Sequence, residues 1–530
     1  MSTLYEQITI NPLFDRLYYL SKYKDVQESG IDPVLHYCTI GWHEGRNPNS
    51  AFDTKYYLAA NPDVRNADLN PFWHYISSGK AEGRLPKLPK HALDVPRAQI
   101  ALSWQLPVGA PIPVQLGIET SLSLTMLLDL LARAMPRQTL AVAISHDDYG
   151  VSIGGVQNIV SEECKAFNAR GTGFLHVCSS NFVPALSEET DLNEFVFALR
   201  LNGKAIGRAT ADVLNQTLQF LRKSHAELFF IVHHLMGHSV EIVSALARSA
   251  QAVEPLFWAH DYYAGCGSYT LMRNNVSYCG APAIGSAGCR VCIHGATRQT
   301  HTACIQKLIS ANAMSVVAPS QAALEQWIAA VGLQPKKSHV THPAKLFLKK
   351  NKRHAPVDRP LRIAFVGAPV HHKGWTVFKY LAEELSFSNE YSFFHLGEPH
   401  EENDLIKNVP VHVTASNPNL MIDTVFQNEI DAVVSWSQWP ETFNFAVHEA
   451  VAGGAFIVAR RIAGHVLPAV HLYAPQSLHE VSSQDELVRY FASGQAAQDI
   501  RSSPQLRGVM VRSMGSAELV GLDVVEELVA

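Results

Sequence analysis

Cysteine is scarce. Eight in 530 residues are too few to build a disulfide scaffold. A basic excess is missing too. The formal net charge of −5, with histidine neutral, leaves no electrostatic footprint for nucleic acid. Long hydrophobic runs are absent. The longest apolar stretch, TSLSLTMLLDLLARAM, carries Asp129 and Arg133 and is too short and too polar to span a bilayer. The opening MSTLYEQITINP has neither a basic n-region nor an apolar h-region, so no secretory leader is expected. The expected location is the cytoplasm, with any membrane contact peripheral, at the inner face.

What is present is an ordinary globular composition, 47% apolar and 17% charged, in a chain long enough for two or three domains. It begins with an internal repeat. FDRLYYLSKYKDVQESGIDPVLHYCTIGWHEGRNP (Phe14 to Pro48) recurs at an offset of 38 as FDTKYYLAANPDVRNADLNPFWHYISSGKAEGRLP (Phe52 to Pro86). Each copy reads as a short helix, a turn before Asp-Pro or Asn-Pro, and a second helix ended by Gly. Two readings stand: a helical packing unit with aromatics in its core, or a module that docks a partner. A Pro- and charge-rich connector follows, with an apolar helix over about Leu122 to Met135.

From Thr139 onward the pattern changes. Short apolar runs (LAVAIS, GFLHVCS, FVFALR, ELFFIVHH, PLFWAH, MSVVAP) alternate with amphipathic stretches. After a Lys-rich segment near 346–358, read as a hinge, a second set begins: LRIAFVG, SFFHLG, VPVHVT, DAVVSW, AFIVA. Such runs suit buried parallel strands. The alternation predicts an α/β fold of two doubly wound, Rossmann-like domains facing a cleft, preceded by the small helical repeat domain. A terminal helix is expected over SAELVGLDVVEELVA.

WPETFNFAVHEA (Trp439 to Ala450) carries two acids, Glu441 and Glu449, eight positions apart. Such a pair can serve a hydrolase, a metal, a ligand clamp or a solvated helix face. On one helix the two would lie roughly 12 Å apart along the axis. That is wide for a glycosidase pair, at about 5–9.5 Å, and suits an extended ligand held at two places. Carboxylates accept bonds from vicinal hydroxyls. Backbone N–H groups at the helix start favour phosphate. FVGAPVHHKGW puts Lys373 after a strand, where a cation can neutralise a departing diphosphate. Its removal, Lys373→Ala, is expected to cut turnover with little change in stability. Gly154-Gly155 lie between a strand and a helix, where backbone can approach a ligand closely.

The motifs GGVQ, FWAHDYY, VAPS, VGAPVHHKGW and ETFNFAVHEAVAGGAFIVA together resemble the retaining, nucleotide-sugar-dependent glycosyltransferases of the GT-B fold, family 4-like, over roughly residues 140–510. The sequence pattern gives domains at 1–88 (repeats), 89–138 (connector), 139–345 (with a Cys-rich insertion at 262–296) and 346–530, and the resemblance makes the third the acceptor domain and the fourth the donor domain. It implies a nucleoside-diphosphate sugar as donor, and a glycan, lipid-linked glycan or protein as acceptor, in bacterial surface polysaccharide synthesis. It places Gly155, Lys373, Glu441, Thr442, Phe443, Asn444 and Glu449 at the donor. Glu449 would hold the ribose, Glu441 would face the sugar, and His260 would sit over the sugar. His260, Lys373 and Glu441 form the implied catalytic set. There is no Asp-x-Asp, so no catalytic metal is implied.

This chain departs from the family pattern at Ala368, where an arginine is usual, so one diphosphate cation is either missing or supplied from elsewhere, with His371 and His372 as the candidates. It departs again at Asn444, where glycine is usual. A related enzyme class, epimerisation or phosphorolysis, and a non-catalytic scaffold are the rival readings.

Some residues have plainer alternatives. His233 and His234 end a strand and read as acceptor-side contacts or as core histidines, with His238 nearby. Asp261 either orients His260 or caps a helix. Ser320 reads as an N-cap. Cys266, Cys279, Cys289 and Cys292, separated by 12, 9 and 2 residues, can form a structural zinc clip, hold an iron–sulfur cluster or remain thiols.

Overall fold

The computed structural model describes residues 13–80, 82, 84–87, 120–152, 154–180, 183–350, 359–398, 403–414, 417–504 and 506–520. The chain divides into two compact units, Met1–Trp104 with Arg290–Ile293, and Gln105–Cys289 with His294–Ala530.

In the first unit the 38-residue sequence repeat is a repeat of contacts. Asp15 and Asp53 cap the helices Arg16–Lys22 and Thr54–Ala60, accepting from the N–H of Tyr18 and Tyr56. Asp32 and Asn70 cap Pro33–His36 and Pro71–His74, each with proline at the helix start. The Tyr19 hydroxyl meets His36 Nδ1 at 3.1 Å, and the Tyr57 hydroxyl meets His74 Nδ1 at 3.0 Å. Arg46 pairs with Asp25 and Glu44, as Arg84 pairs with Asp63 and Glu82. Glycine does not end the second helix at once. The helix runs on through a π turn, Tyr37–Gly41 and Tyr75–Gly79. A Cβ at Gly41 or Gly79 would overlap the hydroxyl of Tyr19 or Tyr57, which is why both turns close on glycine.

The second unit holds two large sheets. The strands are β1 (Thr139–Ile144), β2 (Gly173–Ser179), β3 (Val196–Leu201), β4 (Lys204–Thr210), β5 (Glu227–Val232), β6 (Leu256–Trp258), β7 (Met272–Arg273), β8 (Ser277–Tyr278), β9 (Ser315–Ala318), β10 (Ser338–Val340), β11 (Ala344–Lys350), β12 (Leu361–Val366), β13 (Tyr391–Gly397), β14 (Ile406–Pro410), β15 (Ala432–Ser435), β16 (Phe456–Arg460), β17 (Leu478–Val481) and β18 (Leu506–Arg512). The first sheet runs β10-β9-β6-β5-β1-β2-β3-β4, and the second β14-β13-β12-β15-β16-β17. The second is parallel throughout; in the first, β3 and β4 run antiparallel.

Alternate residues of β1 and β12 feed opposite core layers. Leu140, Val142 and Ile144 pack on one side of the first sheet, and Ala141 and Ala143 on the other. Leu361, Ile363 and Phe365 face one layer of the second sheet, and Ala364 and Val366 the other. Both sheets are therefore covered on both faces, as apolar runs without polar alternation require. The unit is α/β with two doubly wound lobes.

Three expectations change. FVFALR, read as a parallel strand, is half of a hairpin with β4, turned at Asn202-Gly203 with φ of 47° and 85°. The segment read as a hinge begins as β11, paired antiparallel with β18 along its whole length; residues 351–358 lie outside the described residues. The chain then returns to the first lobe. Ala517 packs with Ala141, Ile159 and Trp258, and the expected terminal helix shows one 3₁₀ turn, Gly515–Glu518, before the undescribed residues 521–530. The connector's residues 88–119 are outside the described residues as well, while its helix stands at Leu124–Ala134. No helix among the described residues is long and apolar enough to cross a membrane.

Candidate functional site

Each sheet has one switch point, where successive strands depart in opposite directions and leave a crevice at their carboxyl ends. In the first sheet it lies between β1 and β5, in the second between β12 and β15. The polar residues singled out from the sequence cluster at these two places.

At the second switch point, Lys373 follows β12 and Glu441 follows β15. Lys373 Nζ donates to both carboxylate oxygens of Glu441, at 2.8 and 3.0 Å. Glu441 is 2% exposed, and its Oε1 also accepts from the Ser437 hydroxyl at 2.8 Å. Lys373 lies over the Trp439 ring at 5.6 Å. Glu441 is not on a helix. It forms a lone bridge with Gly464, and only Glu449 sits on the helix Phe445–Gly453.

Glu449 is 7% exposed, and burial pushes its carboxyl up to about 8, against a lowering pull from Arg512. An acid held above its unfolded value keeps its proton over a window in which the unfolded chain has lost it. Wild-type stability therefore falls as pH rises through about 5 to 8, then levels off. Glu449→Gln does not titrate. It is expected to gain on wild type across that window, by on the order of 4 kcal/mol at about 1.4 kcal/mol per pH unit. Urea midpoints at the two ends of the window measure this, and a difference independent of pH would rule it out.

The residues between the two glutamates join the lobes. Thr442 donates to the His260 carbonyl at 2.6 Å, and its own carbonyl accepts from Ser320 at 2.7 Å. Ser320 also caps its helix, accepting from Ala323 N–H at 3.1 Å, as its sequence context predicts. Tyr262 donates to the Pro440 carbonyl at 2.8 Å. Asn444 caps the helix of Glu449, accepting from Val447 N–H at 3.0 Å, and Phe443 stacks on His448 with centroids 4.4 Å apart. The side chains of Thr442 and Asn444 are thus occupied by the protein itself.

At the first switch point, His233 Nδ1 lies 2.9 Å from His260 Nε2, and His233 Nε2 lies 2.9 Å from Glu163. His234 Nδ1 accepts from Met236 N–H at 3.1 Å, so its Nε2–H donates to Asp261, also at 3.1 Å. His146 stands 4.4 Å from His234, ring to ring. Burial, reinforced by the facing histidines, holds His260 and His146 well below the usual histidine range. His238 is a core histidine, its Nε2–H donating to the Ser145 carbonyl at 2.8 Å. A Cβ on Gly155 would touch nothing within 4 Å, so the space beside it is open.

His371 is occupied by the Val276 carbonyl at 2.9 Å, and burial takes His372 down to about 3. Neither histidine is a ready replacement for the cation missing at Ala368. Arg460 was not anticipated. It ends β16, stacks over Trp436 at 5.7 Å and reaches the Ser437 carbonyl at 3.5 Å. Its Nε is buried with no partner, and it forms no ion pair among the described residues. The paired arginines of IVARR at a strand end were the available signal. Glu163 was also missed. Its signal is an acid among the buried positions Ile159, Val160 and Phe167 of one helix face.

Among the described residues no three His, Cys, Asp or Glu side chains stand together as a group able to hold a metal ion. Cys266, Cys279, Cys289 and Cys292, for which a zinc clip, an iron–sulfur cluster and free thiols were all open readings, make no such group. The loop is pinned instead by the buried guanidinium of Arg298. It donates to the carbonyls of Gly265 (2.9 Å), Pro282 (2.7 Å) and Ala330 (3.2 Å), and to Cys289 Sγ (3.5 Å). One cation with a planar fork can satisfy several loop carbonyls at once.

No family model and no curated protein matches the chain. Solved structures do. Sucrose-phosphate synthase from Thermosynechococcus elongatus matches at 13% identity and TM-score 0.42, over 69% of this chain and 92% of its own. Anabaena HepE in complex with UDP-glucose matches at 12% and 0.40, over 72% and 94%. WaaG, a glycosyltransferase involved in lipopolysaccharide biosynthesis, matches at 12% and 0.40, over 68% and 92%.

Proposed function

We propose that this chain is a retaining glycosyltransferase of the GT-B type. It moves a sugar from a nucleoside diphosphate to a hydroxyl acceptor, in the synthesis of a surface polysaccharide. The observation that carries the reading is the Lys373–Glu441 pair across the second switch point, tied through Thr442 to the backbone of His260. Two crevices from two doubly wound lobes are thereby joined by hydrogen bonds, the paired cation and buried acid on one side and the backbone of a histidine on the other.

Each group has a task in that reaction. Lys373 and Arg460 balance the diphosphate as the bond from the sugar C1 to phosphate oxygen breaks. The acceptor oxygen bonds to C1 on the same face, and its proton passes to the departing phosphate oxygen, so no carboxylate nucleophile is consumed. Glu449 takes the ribose hydroxyls; a neutral carboxyl both donates and accepts, which suits a vicinal diol. The nucleotide-sugar class and the polysaccharide pathway rest on the motif resemblance.

A thermal-shift panel of nucleoside diphosphates and nucleotide sugars, on wild type and Glu449→Ala, tests the donor site. A ligand at a hundred times its Kd adds about 2.7 kcal/mol. The expected result is a rise with one base, lost in the variant, and then anomeric retention in the product formed from that donor. No rise with any nucleotide at millimolar concentration would remove the reading.

A further inference from the structure

Glu163 lies outside the residues just given a task, yet it is fully buried and bonded toward His260. We infer that Glu163 is a positioning residue. Through His233 it holds His260 as the Nε2–H tautomer, and so presents the bare Nδ1 as an acceptor for a hydroxyl of the bound sugar. The inference deepens the donor-site reading and rests on it only for the identity of that hydroxyl.

The direction of the relay follows from donors and acceptors. Glu163 and the His233 side chain are both 0% exposed. Glu163 Oε1 lies 2.7 Å from the Ser516 backbone N–H, which can only donate. Glu163 Oε2 lies 2.9 Å from His233 Nε2. A carboxylate can only accept, so the ring nitrogen facing its second oxygen donates. His233 therefore carries its proton on Nε2, and its Nδ1 is an acceptor. The nitrogen 2.9 Å away, His260 Nε2, must then donate. A neutral imidazole has one N–H, so His260 Nδ1 is left with a lone pair, and no described residue bonds it.

The rings cannot turn to escape this order. Trp258 stacks on His260 at 4.8 Å and 4°, and on His233 at 5.9 Å and 16°. Trp258 itself donates to Ser516 Oγ at 2.8 Å. The returning segment at Ser516 thus fixes both ends, the carboxylate that starts the relay and the indole that holds its rings flat. Burial and the neighbouring histidines keep His260 neutral, so the choice between its two tautomers is left to this relay.

Glu163→Gln separates the relay from its packing. The amide is nearly isosteric, but its oxygen must still face Ser516 N–H, which turns the NH₂ toward His233 Nε2. That nitrogen must then accept, His233 Nδ1–H donates to His260 Nε2, and His260 carries its proton on Nδ1. Long-range ¹H–¹⁵N spectra of histidine-labelled protein read this directly, with His260 assigned by its loss in His260→Gln. The expected result is protonated Nε2 in wild type and protonated Nδ1 in Glu163→Gln. With it, kcat for sugar transfer should fall on the order of tenfold or more while KM for the acceptor holds. A wild-type His260 protonated at Nδ1, or the same tautomer in both proteins, overturns the inference. If the variant does not fold, the wild-type spectrum alone decides. Absence of transfer in wild type would count against the donor-site reading, while the spectra still decide the relay.

Discussion

Lys373→Ala is expected to lower turnover by on the order of a hundredfold or more, the scale seen when one preorganised charge is removed from a transition state. The side-chain geometry adds a second effect that sequence reasoning left out. Lys373 already has a partner within the protein. It forms a bidentate pair with Glu441, which is 2% exposed, while Lys373 itself is 35% exposed. Removing the lysine strands a buried carboxylate whose one remaining side-chain partner among the described residues is the Ser437 hydroxyl. Breaking one side of a buried pair costs about 3–5 kcal/mol, and solvent access at Lys373 lowers this to about 2 kcal/mol. The variant should therefore be both slow and less stable, which revises the expectation of unchanged stability. Adding Glu441→Gln removes the stranded charge. The double variant should regain most of the lost stability in urea unfolding and none of the turnover. A Lys373→Ala protein of near-wild-type activity would end the assignment of this lysine to the leaving group.

The same contrast runs through what the sequence could and could not disclose. Periodicity is local, so the apolar runs of β1, β5, β12 and β16 were legible, and so was the α/β class. Pairing is not local. The seven-residue ladder between β11 and β18 joins segments over 150 positions apart, and nothing in AKLFLKK marks it as a strand rather than a solvated linker. The Ser320 cap was legible, because it acts within three residues. The relay from Glu163 to His260 was not, since its members come from a helix, two strand ends and a returning segment. The cysteine loop misled for a related reason. Spacing invites a metal, but it does not show Arg298, which is distant in sequence from the carbonyls it binds in this loop.

Gly374→Ala should be among the most damaging single methyl groups in the second lobe. Gly374 has φ of 92° and ends the turn that carries Lys373. A Cβ there would stand 2.6 Å from Trp436 Cβ and 2.8 Å from its carbonyl carbon, and would overlap the carbonyl oxygen. Backbone cannot swing aside as a side chain does. Trp436 follows β15 directly and leads into Ser437 and Glu441, so relief of the clash must part the two sides of the switch point. The left-handed conformation alone costs about 1–2 kcal/mol in a residue with a Cβ. The clash should bring the total to on the order of 4 kcal/mol. Gly494→Ala isolates the first part, because Gly494 has φ of 79° and open space, with nothing within 4 Å of the added methyl. Urea unfolding of the two variants should differ by the cost of the close approach. Transfer should fall sharply only in Gly374→Ala, where Lys373 is pushed away from Glu441. Equal destabilisation of the two would mean that the approach of Gly374 to Trp436 is not what holds the Lys373–Glu441 pair together.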